Sequence, residues 1–277
     1  MKKIAIQGIE GSYHEIAARN YYEGEEVAVL PRRTFRDVVE TVMREPEIQG
    51  MLAIENTIAG SLLPNHSLVR EAVRENEVGV LGEYRLRISH CLAALPGTRH
   101  DDIEEIASHP MALMQCEKFL ETYPYLRVVE KDDTASSAQW IADNRLENHA
   151  AICSRRAAEI YGLDILAEGI ETDKHNYTRF LLIGSRSGHS GTKGNKASLV
   201  FSLPHKVGSL SQVLAVFSFY EMNLTKIQSL PMLGAEWQYR FYIDLTFGDY
   251  DRYKKSLDAV TPLVAELDVL GEYAESA

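Results

Sequence analysis

The sequence predicts an α/β protein with mainly parallel sheets, followed by a smaller ferredoxin-like βαββαβ domain. Three observations lead there. Up to residue 184, short apolar runs alternate with apolar residues spaced three and four apart, the marks of strands and helices in turn. From Gly184 to Lys196 the chain is rich in glycine and serine and holds no apolar residue, a composition suited to a connector. Beyond it Leu199, Phe201 and Leu203 alternate with polar neighbours, as do Tyr239, Phe241, Ile243, Leu245 and Phe247, so each stretch has one buried face.

Taken in order, Lys3 to Gln7 reads as a first strand that ends at a glycine turn. Thr34 is placed to cap a helix, with Asp37 three residues on as in a capping box. Phe35, Val38, Val39, Val42 and Met43 form that helix's apolar face. Gln49 to Ile54 is a buried strand running into Glu55-Asn56. A second lobe begins near Val78, where Glu83 to Leu95 is strand-like and Pro96-Gly97 turns. Pro110 fits the first position of a helix lined by Leu113, Cys116, Phe119 and Leu120. Thr134 is placed to cap another, carrying Ala138, Ile141 and Ala142, and Ala150 to Ile152 is a short strand. After the connector, Leu210, Val213, Leu214 and Phe217 share a helical face and Leu224 to Ser229 is a strand. Tyr253 to Leu267 reads as a helix and Val269-Leu270 as a final short strand, which completes the split β-α-β order.

A chain of 277 residues suits one large domain or two. No apolar run is long enough to span a bilayer. The opening Met1-Lys2-Lys3-Ile4-Ala5-Ile6 is too short an apolar segment for a signal peptide. A cytoplasmic protein is expected. The net charge of -11 argues against a nucleic-acid surface, which needs a basic stripe. An anionic small substrate remains compatible, provided helix N-termini and a few arginines meet it. Three scattered cysteines and nine scattered histidines show neither a disulfide framework nor metal-ligand spacing. No metal and no cofactor are expected.

Five motifs carry candidate chemistry. Gly8-Ile9-Glu10-Gly11-Ser12-Tyr13 follows the first strand and opens a helix. It is either an anion site of backbone N–H groups and the Ser12 hydroxyl, or a tight turn that needs glycine. Glu55-Asn56-Thr57 and then Gly60-Ser61 put polar groups at the end of a buried strand, where α/β sheets bind ligands. Glu55 is either a carboxyl with a raised pKa that supplies a proton or, with Asn56, a cap for the next helix. In Ser108-His109-Pro110 through Gln115-Cys116, His109 is a proton-transfer candidate or a capping residue, Gln115 reaches a cleft or solvent, and Cys116 lies on the apolar face. Asp132-Asp133-Thr134 is explained by helix capping alone. Thr178-Arg179-Phe180 sets a hydroxyl, a guanidinium and a ring at the mouth of a buried apolar run.

In that order the motifs resemble the prephenate dehydratase family, nearly end to end. The family's glycine-serine/threonine-aromatic turn matches Gly11-Ser12-Tyr13. Its glutamate-asparagine-serine and glycine-serine pair matches Glu55-Asn56-Thr57 and Gly60-Ser61, with threonine at 57. Its histidine-proline to glutamine-cysteine pattern matches His109 to Cys116, and its threonine-arginine-phenylalanine signature matches Thr178 to Phe180. The C-terminal part resembles an ACT regulatory domain at Gly208-Ser209-Leu210 and Gln228-Ser229-Leu230-Pro231. There the family usually has glutamate-serine-arginine-proline, so Gln228 and Leu230 depart from it.

The resemblance implies a two-lobed, periplasmic-binding-protein-like catalytic domain over 1–186, with lobe one at about 1–77 and 168–186 and lobe two at about 78–167. A linker at 187–196 and an ACT domain at 197–277 follow, with no fused chorismate mutase. It implies conversion of prephenate to phenylpyruvate in L-phenylalanine biosynthesis. Thr178 would donate a hydrogen bond to the leaving hydroxyl and Glu55 would tune the proton supply. Ser12, Asn56, Thr57, Gly60, Ser61, Gln115, Arg179 and Phe180 would hold substrate. L-Phenylalanine would bind at Gly208, Ser209, Leu210, Gln228, Ser229 and Leu230 in a homodimer or dimer of dimers. Two rivals stand beside this: an arogenate dehydratase, and a non-catalytic amino-acid sensor.

Overall fold

The structure is a computed structural model, and it describes residues 1–75, 77–187, 194–232, 234 and 238–276. In chain order the elements are β1 (Lys2–Gln7), α1 (Tyr13–Tyr21), β2 (Val27–Arg32), α2 (Phe35–Arg44), β3 (Ile48–Asn56), β4 (Gly60–Ser61), α3 (Leu63–Glu75), β5 (Val78–Arg87), β6 (Cys91–Ala94), β7 (Glu105–Ser108), α4 (Pro110–Gln115), α5 (Glu117–Leu120), β8 (Arg127–Glu130), α6 (Thr134–Asn144), β9 (His149–Cys153), α7 (Arg155–Ile160), β10 (Asp164–Glu168), β11 (Tyr177–Ser185), β12 (Lys196–Ser202), α8 (Ser209–Phe219), β13 (Asn223–Pro231), β14 (Tyr239–Thr246), α9 (Tyr250–Val260) and β15 (Glu266–Tyr273). No helix among the described residues is long and apolar enough to cross a membrane.

The strands form three sheets, ordered β2-β1-β3-β11-β5 with β4 on β3, then β10-β6-β9-β7-β8, and β13-β14-β12-β15. The first two are mixed rather than mainly parallel. β1 and β2 are parallel, as are β7 with β8 and β7 with β9. β6 runs against both β9 and β10. The expected strand from Glu83 to Leu95 is two strands, parted at Ile88, Ser89 and His90.

The chain divides into two compact units. The first comprises Met1–Thr41, Gly50–Leu62 and Tyr84–Phe180, and the second Val42–Gln49, Leu63–Glu83 and Leu181–Ala277. Within the first, Leu92, Ile106, Leu113, Cys116 and Ile152 build one buried cluster. Ala135, Ala138, Ile141 and Ala151 build another. Both cover β6, β7 and β9 with helices. The apolar face expected from Leu113 to Leu120 is real, but the helix breaks at Cys116 into α4 and α5. The cap of α6 is Asp133, which accepts from the N–H groups of Ala135 and Ser136, and Thr134 is the first helical residue. The box at α2 closes as expected, with Thr34 N–H donating to Asp37 and Asp37 N–H to Thr34 Oγ1.

In the second unit, β12, α8, β13, β14, α9 and β15 give the split β-α-β strand order. Leu199, Phe201, Val213, Phe217, Ile243, Leu245 and Tyr253 form its core. The last strand is longer than expected, because β15 pairs with β12 along its whole length. α9 ends at Val260, ahead of Pro262, whose ring removes a backbone donor. Of the expected linker at 187–196, residues 188–193 lie outside the described residues.

Two charge clusters lie in this unit, the first buried and the second partly so. Lys196 is 1% exposed and donates to both oxygens of Glu83, at 2.8 and 3.1 Å. Arg70 donates to Asp268 at 2.7 Å and to Glu266 at 2.8 Å. Gly271 brings β15 against β5 so closely that a Cβ there would overlap the Val80 carbonyl.

Removing one member of a buried pair leaves the other charge without its counter-ion, at a cost of about 3–5 kcal/mol, whereas replacing both by apolar groups is far less harmful. Lys196→Met should therefore lower the urea midpoint strongly, and adding Glu83→Leu should recover most of the loss. An unchanged midpoint in the single variant would show that the pair contributes nothing.

Candidate active site

A cavity of about 410 Å³ lies within the first unit. Its walls come from strand ends and from the first turns of four helices. Ser12, Tyr13 and His14 arrive with α1, Arg33, Thr34 and Phe35 with α2, His109 and Met111 with α4, and Asp132, Asp133 and Thr134 with α6. Ligands of α/β sheets bind at such strand ends, and helix N-termini favour anions. The turn before α1 is tightly fixed. Gly11 has φ of 88° and a Cβ on it would lie 2.7 Å from Ala157 Cα, so glycine is required there. Glu15 anchors the same turn, accepting from Gly11 N–H at 2.5 Å, Arg19 at 2.6 Å and Arg156 at 2.9 Å. Burial acts to raise the Glu15 pKa, but these hydrogen bonds outweigh it and hold the carboxyl below its usual range.

Asn56 is the hub of the floor. Its Oδ1 accepts from the N–H groups of Ile58 and Ala59 at 2.9 and 2.8 Å, which folds the end of β3 back into β4. Its Nδ2 faces Asn176 Oδ1 at 2.7 Å, the Tyr177 carbonyl at 3.1 Å and Thr178 Oγ1 at 3.0 Å. Thr178 Oγ1 thus takes a hydrogen from Asn56, and its own O–H is left to donate into the cavity. Gln115 braces the arrangement. Its Oε1 accepts from Asn176 at 2.9 Å and its Nε2 reaches Asn56 Oδ1 at 3.4 Å. His90 Nε2 stands 3.0 Å from the same Gln115 Oε1, and His90 Nδ1 stands 2.8 Å from the Tyr13 hydroxyl. Facing an acceptor, a neutral His90 carries its proton on Nε2, which leaves Nδ1 and the Ser89 carbonyl, each 2.8 Å from the Tyr13 hydroxyl, to compete for its one hydrogen. Burial lowers the His90 pKa, against the Gln115 hydrogen bond and the Glu171 charge, so the neutral form is favoured.

His14 is the second buried imidazole. Its ring meets Phe180 edge-on at 5.0 Å and Phe35 at 5.4 Å. Nε2 accepts from Ala53 N–H at 3.3 Å, so the proton sits on Nδ1. Burial lowers its pKa to about 4. His109 caps α4 by accepting from Met111 N–H at Nδ1, which leaves Nε2–H as a donor. The structure thus joins the capping reading of His109 to a place on the cavity wall.

Of the residues expected to form the site, Ser12, Asn56, Gln115, Thr178 and Phe180 line this cavity. Ser12 also caps α1 through Glu15 N–H. Glu55 and Arg179 do not line it. They lie beside Asn56 and Thr178 in their strands, and neighbouring side chains of a strand point to opposite faces. There Arg179 donates to Glu55 at 3.1 Å. Thr57 binds the 175–177 segment, donating to the His175 carbonyl at 2.8 Å and accepting from Tyr177 N–H at 2.9 Å. Gly60 and Ser61 form β4 against Asn56 and Glu55. Sequence reasoning passed over His14, His90, Arg33 and the cavity position of Asp133. Tyr13 was visible only as the aromatic of its motif.

The residues considered for an effector lie in the second unit. Gly208, with φ of 81°, precedes α8, whose start carries no side-chain cap. Ser209 instead donates to the carbonyls of Pro204 and Lys206. Leu210 packs on the core of this unit. On β13, Gln228 and Leu230 are half-buried and Ser229 is exposed.

The chain matches the family model of prephenate dehydratase over residues 4–188. It is 37% identical to arogenate dehydratase/prephenate dehydratase 2, chloroplastic, of Arabidopsis thaliana over 98% of this chain and 72% of that protein. A prephenate dehydratase of Arthrobacter aurescens in complex with L-Phe superposes with a TM-score of 0.85 at 27% identity, covering 99% of this chain and 90% of that one. A structure described as GqqA, a novel type of quorum quenching acylase, superposes with a TM-score of 0.88 at 28% identity, covering 99% and 98%.

The low pKa of His14 has a consequence for stability. Between about 6.5 and 4 the unfolded chain protonates this residue and the folded chain does not, so its contribution is full above 6.5 and is lost as pH falls toward 4. His14→Gln should flatten the thermal-midpoint profile in that window relative to the unsubstituted protein. Identical profiles would place the charge-free state of His14 in doubt.

Proposed function

The chain belongs to the prephenate dehydratase family, and from that premise we propose that it converts prephenate to phenylpyruvate, with release of carbon dioxide and water. The observation that carries this reading is the Thr178 hydroxyl, whose oxygen accepts from Asn56 on the wall of a cavity lined by helix N-termini. In the reaction the ring C–carboxylate bond breaks, its electron pair enters the ring, and the hydroxyl on the opposite carbon leaves. Carbon dioxide departs and the ring becomes aromatic. One proton is taken up as hydroxide becomes water. A hydrogen bond from Thr178 to the departing oxygen stabilises charge that develops only in the transition state. The first turns of α1 and α2, with Arg33, are suited to the substrate carboxylates. Glu55 and Arg179 act at one remove, bracing β3 against β11 beneath Asn56 and Thr178.

We read residues 197–277 as an ACT domain that binds L-phenylalanine between protomers. The split β-α-β order supports this, as does the uncapped N-terminus of α8 behind Gly208. So does the L-Phe complex described for the Arthrobacter protein. Backbone N–H groups there can hold a carboxylate without an arginine at position 230.

Thr178→Ala should lower kcat on prephenate by on the order of a hundred- to a thousandfold with its melting temperature little changed. Asn56→Asp should act in the same direction, because an aspartate accepts from Thr178 and turns its hydrogen away from the cavity. Wild-type turnover in Thr178→Ala would overturn the assignment. For the second domain, calorimetric titration should detect L-phenylalanine and kinetics should show inhibition, with the effector favouring a state of lower substrate affinity. Silence in both at millimolar ligand would leave that domain as an assembly module.

A further inference from the structure

His14 puts one more donor on the cavity wall, and it takes no part in the steps given to Thr178, Arg33 and the helix N-termini. Its ring is held on three sides. Phe180 is met edge-on at 5.0 Å, Phe35 lies at 5.4 Å, and Nε2 accepts from Ala53 N–H at 3.3 Å. With Nε2 accepting, the neutral ring carries its hydrogen on Nδ1. Nδ1 has no partner among the described residues. It is not sealed in protein either, and the residue forms part of the cavity wall.

The acceptor it suits follows from its surroundings. Two phenyl rings flank the imidazole, and burial lowers its pKa to about 4, so near neutral pH it offers a directed N–H and no charge. A carboxylate set against it would lose water and gain no counter-ion. One neutral donor matches an uncharged oxygen. Prephenate carries two carboxylates, the ring hydroxyl that leaves and one keto oxygen. The helix N-termini and Arg33 suit the carboxylates, and Thr178 the hydroxyl. The keto oxygen is the acceptor left over. Position agrees with this. Thr178 and Phe180 face the cavity two residues apart on β11, about 6.6 Å along the strand, and His14 stands against Phe180. That separation suits a hydroxyl and a side chain on opposite carbons of one ring.

We propose that His14 is a substrate-contacting residue that donates from Nδ1 to the keto oxygen of prephenate. This rests on the dehydratase reading. The product phenylpyruvate keeps that oxygen, and 3-phenylpropanoate has the same ring and carboxylate without it. Their inhibition constants against prephenate turnover therefore read the contact. The unsubstituted protein should hold phenylpyruvate about two- to tenfold more tightly, the range of one neutral hydrogen bond. His14→Phe keeps a ring against Phe35 and Phe180 but has no donor, and should bring the two constants together. His14→Asn places an amide N–H near the position of Nδ1 and should keep most of the difference. Equal constants in the unsubstituted protein, a comparison that needs no variant, would overturn the contact. So would a difference that survives in His14→Phe, or one lost equally in His14→Asn. In each of these cases turnover of prephenate leaves the dehydratase reading standing, whereas absence of turnover would remove that reading and the contact with it.

Discussion

The carboxamide of Asn56 fixes the geometry on which the site depends. One side chain closes the turn from β3 to β4, holds the end of β11 and sets the direction of the Thr178 hydroxyl. An amide suits this place because it offers donor and acceptor at once, and it is 8% exposed, so groups left unmatched would cost free energy with little water to compensate. Asn176, at 0% exposure, and Gln115, at 5%, have the same character. Three neutral amides in contact give direction without net charge. That matters beside a reaction that expels an anionic leaving group, since a fixed carboxylate at the same spot would oppose it.

The imidazoles extend this logic. His90 and His14 are both favoured in the neutral form by burial. Each is oriented by a partner that decides which nitrogen holds the proton: Gln115 for His90 and the Ala53 N–H for His14. The cavity is thus polar in hydrogen-bonding capacity yet sparing in positive charge. Helix N-termini supply the positive potential instead, and they need no long flexible side chain to do so.

What could be read from the chain follows from how local the cause is. β12 and β14 announced themselves by the alternation of apolar and polar residues, although every residue of β12 proves buried, and the capping box at Thr34 needed only neighbours in sequence. β6 did not reveal its reversed direction, because all four of its residues are buried and carry no alternation. Thr178 was legible as part of a motif. The opposite orientation of Arg179 follows from strand geometry alone, since consecutive residues of β11 cannot both face one cavity. His90 was hidden inside what looked like one continuous strand. Its partners Tyr13 and Gln115 are 77 and 25 residues away, and nothing short of the fold brings them together. Asp133 was read as a cap, which it is. That its second oxygen overlooks Gly8 depends on the packing of two loops far apart in the chain.

The pairing of Glu83 with Lys196 also orders events on the ribosome. The two residues are 113 positions apart, so at roughly 5–20 residues per second the lysine is made on the order of ten seconds after the glutamate. Throughout that interval a nascent chain has a carboxylate destined for a dry interior and no ammonium to meet it. Arg70 waits still longer for Glu266. The second unit therefore closes its charge clusters late, while the β7 to β9 region of the first unit, whose partners lie close in sequence, is free to fold as it emerges.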